Sequence, residues 1–207
     1  MKPPTTLEMM VPAKIALQAL RGAAASEFKK APNEQSWTTS ILRALASLAP
    51  EGACIDPDVS APRNGSGRAA KEYLWDLTIS SWPNYETTPY AYPSYFERAA
   101  QGNSRLLLVA ESEWGAATGH KKNGMAVMED FSKLLGARAP LKVMVFSYFR
   151  TGASSTFEEL SALMVKLIRA TGDDAEYVLF GVAWGKDSEC KDMHIRRDEV
   201  SDVSCGP

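Results

Sequence analysis

The chain has 207 residues, of which 45% are hydrophobic and 23% are charged, and its formal net charge is −2. This composition is typical of one globular domain with a buried core and excludes a largely disordered chain. The slightly negative charge gives no support to a strongly basic nucleic-acid-binding domain, so a nucleic acid would have to be bound through a local basic patch.

Cysteine usage and hydropathy predict a cytoplasmic protein with no membrane association. The three cysteines, Cys54, Cys190 and Cys205, are too sparse for a disulfide framework and indicate a reducing compartment. Apolar runs such as residues 106–110 are far too short to span a bilayer. Prolines and Lys14 interrupt the N-terminal segment, which therefore makes a poor signal peptide.

The N-terminal region is predicted to be helical after a flexible leader of residues 1–12. A short helix is expected over residues 13–22. A longer helix begins near Asn33, a good N-cap residue, with Glu34 in its first turn, where the helix dipole favours an acid. Apolar residues then recur at helical spacing, at Trp37, Ile41, Leu45 and Leu48. Pro50 ends the pattern.

Apolar strands follow in the middle of the chain. Residues 72–80 have the β-branched and aromatic content of a strand. Residues 81–93 are predicted to be a loop, and residues 95–100 a short helix. The continuous apolar run 105–110, which leads into residues 111–114, has the pattern of a central strand covered on both faces.

Helices and strands then alternate. A helix over residues 125–135 follows a loop, and its predicted buried stripe is Met128, Phe131 and Leu135. Strands are expected at residues 141–149 and 177–184. Between them, Ser154 or Ser155 caps a helix that ends near Arg169. The buried face of that helix is predicted to be Phe157, Leu160, Met164, Leu167 and Ile168.

The order of these elements predicts a single α/β domain over residues 13–185, with a central mixed β-sheet flanked by helices on both faces. Residues 186–207 are predicted to be a loose polar tail.

Acidic residues occur at the ends of two of the predicted strands. Asp76 interrupts the strand 72–80, and Glu111 and Glu113 follow the apolar run 105–110. Residues i and i+2 of a strand point to the same face, so the two glutamates present their carboxylates side by side. Their repulsion favours a cation between them, and a hard ion such as Mg²⁺ prefers oxygen ligands. For each acid taken singly, the alternative is a solvent-exposed position at a strand end.

Asp76 and the triplet Glu111-Ser112-Glu113 resemble the motif of the PD-(D/E)xK nuclease superfamily, over roughly residues 33–150. That family has an acid on one strand and an acid-x-Lys triplet on the next, followed by a crossover helix and another strand. The resemblance implies a restriction-endonuclease-like fold and hydrolysis of phosphodiester bonds of nucleic acid, with Mg²⁺ or Mn²⁺ held by the carboxylates. Members of the family often contribute an acid from the first helix. Glu34 is therefore a candidate metal ligand beside Asp76 and Glu111, with an exposed first-turn residue as the alternative.

The chain departs from the family pattern at Glu113, which stands where the lysine is expected. In some members the following helix supplies the lysine, and Lys133 is the candidate here. Lys133 lies away from the predicted apolar stripe on a helical wheel, so a solvated lysine is the alternative. Lys121 and Lys122, in the predicted loop, are candidates for contact with a nucleic-acid backbone, or are plain solvated charges.

The resemblance to this superfamily leaves two functions open. The first is a Mg²⁺- or Mn²⁺-dependent nuclease with Asp76, Glu111, Glu113 and Lys133 as its catalytic set. The second is a catalytically inactive nuclease-fold module that binds nucleic acid or protein in an assembly. For either function, a homodimer or a larger complex is a candidate assembly. The acidic charge and the missing triplet lysine favour the second. The position of Lys133 discriminates between them, because a nuclease needs its ammonium close to Asp76 and Glu111.

Overall fold

The fold is known from a computed structural model that describes residues 10–30, 34–51, 53–56, 75–81, 105–114, 120–150, 155–183, 188–196 and 199–204. The helices are α1 (Ala13–Glu27), α2 (Glu34–Ala46), α3 (His120–Gly136) and α4 (Phe157–Thr171), and a 3₁₀ turn at Phe28–Lys30 follows α1. The strands are β1 (Cys54–Asp56), β2 (Leu77–Ser80), β3 (Leu106–Glu113), β4 (Leu141–Tyr148), β5 (Glu176–Ala183), β6 (Glu189–Arg196) and β7 (Glu199–Ser204).

Within the described residues, the seven strands form one mixed sheet in chain order from β1 to β7. β1, β2 and β3 are antiparallel, β3, β4 and β5 are parallel, and β5, β6 and β7 are again antiparallel. Parallel neighbours need crossover connections, and α3 and α4 provide them. The strands predicted near residues 72–80, 105–110, 141–149 and 177–184 all belong to this sheet, which confirms the α/β class.

Helices cover both faces of the sheet, as predicted. α1 and α2 pack on one face, and α3 and α4 pack on the other. All eight residues of β4 are buried, because the strand lies in the middle of the sheet between the two helical layers. The core beneath α1 and α2 includes Leu20, Trp37, Ile41, Leu108 and Val143. The core beneath α3 and α4 includes Phe131, Leu134, Met144, Met164 and Leu179.

Several predicted boundaries are wrong. α1 continues to Glu27 because Ala24 extends its buried stripe by a further turn. α2 ends at Ala46, before Pro50. α3 begins at His120, five residues before its predicted start, so the expected loop is partly helical. β2 begins at Leu77, which makes the strand shorter than the predicted segment 72–80.

The helix α4 is capped differently from the prediction. Its N-cap is Thr156 rather than Ser154 or Ser155, and a capping box joins Thr156 to Glu159. The predicted buried face is correct except at Leu167, which is 38% exposed. The helix ends at Thr171, and its C-cap is Gly172, whose φ of 64° favours glycine.

The segment 186–207 is not a loose tail, because it contributes β6 and β7 to the sheet. Asp192 of β6 is buried, and Arg21 of α1 binds it through two hydrogen bonds of 2.8 and 2.9 Å. Because this buried residue is an acid paired with a distant arginine, the strand has the composition of a polar segment and was not predicted. Of the predicted leader only residues 10–12 are described, and Val11 is buried there. The helix predicted at residues 95–100 lies outside the described residues.

Gly181 of β5 occupies a position with no room for a side chain. An added Cβ would lie 2.5 Å from Cδ2 of Phe157 and 2.8 Å from Cδ1 of Tyr148. Phe157 cannot easily move, because its ring stacks on Phe146 with 5.7 Å between centroids. We therefore expect Gly181→Ala to lower the free energy of unfolding by about 1–3 kcal/mol in urea denaturation.

Gly22→Ala is the control for this substitution. Gly22 lies within α1 with open space where its Cβ would be, and alanine is about 1 kcal/mol more favourable than glycine inside a helix. This variant should be more stable than the wild type. Equal effects of the two substitutions would contradict the tight packing at Gly181.

Among the described residues, no helix is both long enough and apolar enough to cross a membrane.

Candidate active site

Asp76 lies in the bend that leads into β2, beside the carboxyl-terminal part of β3, and does not interrupt a strand as predicted. The antiparallel register pairs Leu77 with Ala110, so one further step places Asp76 opposite Glu111. Oδ2 of Asp76 accepts two hydrogen bonds from Ser112, one from its N–H at 2.8 Å and one from its hydroxyl at 2.7 Å. Two donors on one oxygen fix the orientation of this carboxylate.

Glu111 is a buried acid on the face of the sheet that α3 covers. It is only 2% exposed, and its neighbour Val109, two residues earlier in β3, belongs to the core beneath α3 and α4. A buried carboxylate is costly unless a cation or hydrogen-bond donors compensate it. The ammonium of Lys133 lies 3.8 Å from Oε1 of Glu111 and supplies part of that compensation.

Lys133 of α3 is held between acids from two elements. Its ammonium lies 2.6 Å from Oδ1 of Asp130, one turn earlier in the helix, as well as near Glu111. Partial burial alone would lower the pKa of Lys133. The hydrogen bond to Asp130 and the negative charges of Glu111, Asp130 and Asp76 outweigh burial and raise that pKa. Lys133 is therefore a stable cation at neutral pH and is not suited to accept a proton.

The buried stripe of α3 differs from the stripe that the sequence predicted. The fully buried stripe of the helix is Val127, Phe131 and Leu134, whereas the predicted members Met128 and Leu135 are only partly buried. This stripe is rotated toward the side on which Lys133 lies. Lys133 itself still lies outside the stripe, so its long side chain covers the remaining distance, and 35% of that side chain is exposed.

The structure brings Asp76, Glu111 and Lys133 together, and it describes the other candidates less completely. Glu113 is the last residue of β3, is half-buried and lies two residues beyond Glu111. Glu34 is the first residue of α2, and Lys121 and Lys122 belong to the first turn of α3 rather than to a loop. The side chains of these last three residues lie outside the described part of the structure.

Three residues of the site were missed from the sequence. Ser112 orients Asp76, and Asp130 pairs with Lys133. Trp75 donates its indole N–H to the backbone carbonyl of Lys133 at 3.3 Å. The pair of Asp130 and Lys133 has the i, i+3 spacing of a helical ion pair, which was a usable signal. The contacts of Ser112 and Trp75 join distant segments and had no local signal.

Among the described side chains, no group of three or more His, Cys, Asp or Glu is arranged to hold a metal ion. The available donor set is the pair of carboxylates on Asp76 and Glu111. Such a pair fits Mg²⁺, which keeps several waters and takes one or two carboxylates together with substrate phosphates. It does not fit a structural zinc site, which takes four ligands rich in Cys and His.

Comparisons with known proteins do not define the fold more closely than its α/β class. No family model, curated protein or solved structure matches this chain. The function must therefore be argued from the geometry of the site.

Proposed function

We propose that the chain is a metal-dependent, nuclease-like enzyme that hydrolyses phosphodiester bonds of nucleic acid with Mg²⁺ or Mn²⁺. The observation that carries the proposal is the position of the Lys133 ammonium, 3.8 Å from Glu111 and beside the strand end that holds Asp76. Asp76 in the bend before β2, Glu111 of β3 and a lysine from the following helix have the residue types of the PD-(D/E)xK site. The lysine has moved out of the triplet, where Glu113 stands.

The order of elements also supports a restriction-endonuclease-like fold. β2 and β3 are antiparallel, α3 crosses over, and β4 is parallel to β3. This is the order that the resemblance to the superfamily implies. Glu34 at the start of α2 is proposed as a further metal ligand and Glu113 as a further acid of the site.

The proposed roles follow from the charges and hydrogen bonds. Ser112 holds one oxygen of Asp76, so the other oxygen is the one offered to a cation, and burial restricts Glu111. A bound Mg²⁺ would polarise the phosphoryl group and lower the pKa of a bound water. The Lys133 ammonium would offset the residual negative charge of the acids where the phosphodiester approaches, and its N–H groups would orient the attacking water.

A second candidate is a module of the same fold that binds nucleic acid or protein in an assembly without catalysis. The ion pairs that Lys133 makes with Asp130 and Glu111 favour it, because a built-in cation reduces the need for a metal. The overall charge of −2 also favours it. In both proposals Lys121 and Lys122 are the expected contacts to a nucleic-acid backbone.

Titration of the protein with Mn²⁺ by calorimetry, together with a cleavage assay on DNA and RNA, tests the proposal. We expect the wild type to bind Mn²⁺ and to cleave one of the two polymers. Loss of a residue that only hydrogen-bonds to a metal ligand typically weakens metal binding by about 10- to 100-fold. Asp76→Ala removes a proposed ligand itself and should weaken Mn²⁺ binding by at least that factor. It should also abolish cleavage.

Asp174→Ala, which changes an exposed acid after α4, is the control and should behave as the wild type in both assays. Unchanged Mn²⁺ binding in Asp76→Ala would refute the metal assignment. A wild type that cleaved neither polymer with either metal would make the binding module the better explanation.

A further inference from the structure

Trp75 connects the strand end that holds Asp76 to the last turns of α3. Its indole N–H donates to the carbonyl oxygen of Lys133 at 3.3 Å, and its ring packs against the core beneath α3 and α4. We propose that Trp75 is a positioning residue that holds Lys133 against the acids of the site, an inference that rests on the proposed nuclease function.

The carbonyl that Trp75 contacts lies at the end of α3, where the regular hydrogen bonds between backbone groups of the helix stop. In a regular α-helix the N–H four residues later would donate to the oxygen of Lys133. Here that N–H, from Ala137, donates to Leu134 instead, at 3.1 Å. The last carbonyls of a helix need partners from outside it, and the indole supplies one. The bond therefore fixes the end of α3 at the residue that carries the ammonium.

The same bond couples the lysine to the first acid. Trp75 immediately precedes Asp76, whose carboxylate Ser112 fixes. Asp130, one turn earlier in α3, holds the ammonium of Lys133 at 2.6 Å. The segment Trp75-Asp76 thus carries the first acid of the site and also fixes the backbone of Lys133, whose ammonium must lie near that acid. Because a misplacement of about 1 Å can cost roughly 100-fold in rate, loss of this bond should affect turnover strongly.

Trp75→Phe removes the indole N–H and keeps an aromatic ring for packing. We expect kcat to fall by about 10- to 100-fold, while KM and the Mn²⁺ affinity stay within about twofold because the acids are untouched. In a Lys133→Met background the same substitution should have no further effect on kcat. A second measurement needs neither metal nor substrate. The ¹H–¹⁵N signal of the Lys133 ammonium, assigned in the wild type by its absence from Lys133→Met, should broaden or disappear in Trp75→Phe.

Tyr148→Phe is the matched control, because it also removes one aromatic hydrogen-bond donor and keeps the ring. The hydroxyl of Tyr148 donates to Oε1 of Glu189 at 2.8 Å and joins β4 to β6, whereas the site is formed by β2, β3 and α3. Its loss should leave both kcat and the Lys133 signal unchanged. An unaltered Lys133 signal in Trp75→Phe would overturn the positioning role whether or not the protein cleaves nucleic acid. Equal losses of kcat with and without Lys133 would overturn it as well. Absence of cleavage by the wild type is a separate result, which would remove the nuclease proposal and the catalytic meaning of this contact together.

Discussion

Replacing Asp173 with alanine should lower the free energy of unfolding by about 3 kcal/mol, because it removes the ion-pair partner of a buried lysine. Lys142 in β4 has no solvent exposure, and its ammonium forms an ion pair with Asp173, which follows α4. Removing one member of such a pair leaves the other as an uncompensated charge in the core. Denaturation in urea at neutral pH measures the effect.

Tyr177 completes this network and limits how far it can adapt. Its hydroxyl donates to Asp173 at 2.7 Å, and the Lys142 ammonium lies 3.2 Å from that hydroxyl and 5.2 Å from the ring centroid. After the loss of Asp173, the Tyr177 hydroxyl is the remaining partner of the Lys142 ammonium among these contacts. A phenol is neutral at neutral pH, and burial, which is the largest cause of the raised pKa of Tyr177, persists when Asp173 is lost. Tyr177 therefore cannot replace the carboxylate as a counter-ion.

The same acid makes the stability depend on pH in a defined direction. Burial would raise the pKa of Asp173, but hydrogen bonds from Lys142, Ala175 and Tyr177 outweigh it, so the pKa is lowered. A lowered folded-state pKa contributes stability that is fully present above the ordinary aspartate pKa. That contribution is lost as the pH falls through the lowered value. The wild type should therefore lose stability on acidification more steeply than Asp173→Ala.

Two further variants separate charge from packing. Lys142→Met replaces the buried ammonium with an apolar side chain of similar size, and should cost less than Asp173→Ala because Asp173 is partly exposed and keeps its bond from Tyr177. Glu51→Ala changes an exposed acid outside this network and should alter stability by less than about 0.5 kcal/mol. If Asp173→Ala were as stable as Glu51→Ala, Lys142 would have a different source of compensation.

The parts of the fold that could be predicted are those in which one local pattern decides the structure. β3, β4 and β5 are apolar for most of their length, because helices cover both faces of the sheet around them. β6 was missed because its buried position 192 is an aspartate, which is satisfied by Arg21, 171 residues earlier in the chain. A strand stabilised by such a distant ion pair has no recognisable period of its own.

The candidate site was predictable to the same degree. Acids at strand ends, and the alternation that turns Glu111 toward one face, are local properties of β2 and β3. The orientation of α3 could not be predicted from local sequence. Apolar residues at the edge of its buried face, such as Met128, suggested a different stripe from the one that packs on the sheet. Consequently Lys133 was expected to depend on the reach of its side chain. In the structure Lys133 still lies off the buried stripe, and its long side chain brings the ammonium to 3.8 Å from Glu111.

Lys133→Met should reduce kcat for cleavage of DNA or RNA by about 100- to 1,000-fold, the range found when one stabilising donor is removed from an active site. Lys133 lies 3.8 Å from Glu111, and its raised pKa keeps it charged at neutral pH. Loss of this charge leaves the acids more negative where a phosphodiester approaches. Mn²⁺ should bind this variant at least as tightly as it binds the wild type, because a nearby positive charge is gone.

Three comparisons make the result specific to this lysine. Glu111→Ala should lose both Mn²⁺ binding and cleavage, because it removes a proposed ligand. Lys133→Arg keeps a cation and should retain more activity than Lys133→Met, although the planar guanidinium cannot reproduce an ammonium. Lys14→Met, at an exposed position of α1, should leave both properties unchanged. If Lys133→Met cleaved like the wild type while Glu111→Ala did not, the metal site would stand and another cation would have to be sought near Glu111. Lys121 and Lys122, in the first turn of the same helix, would then be the next residues to replace.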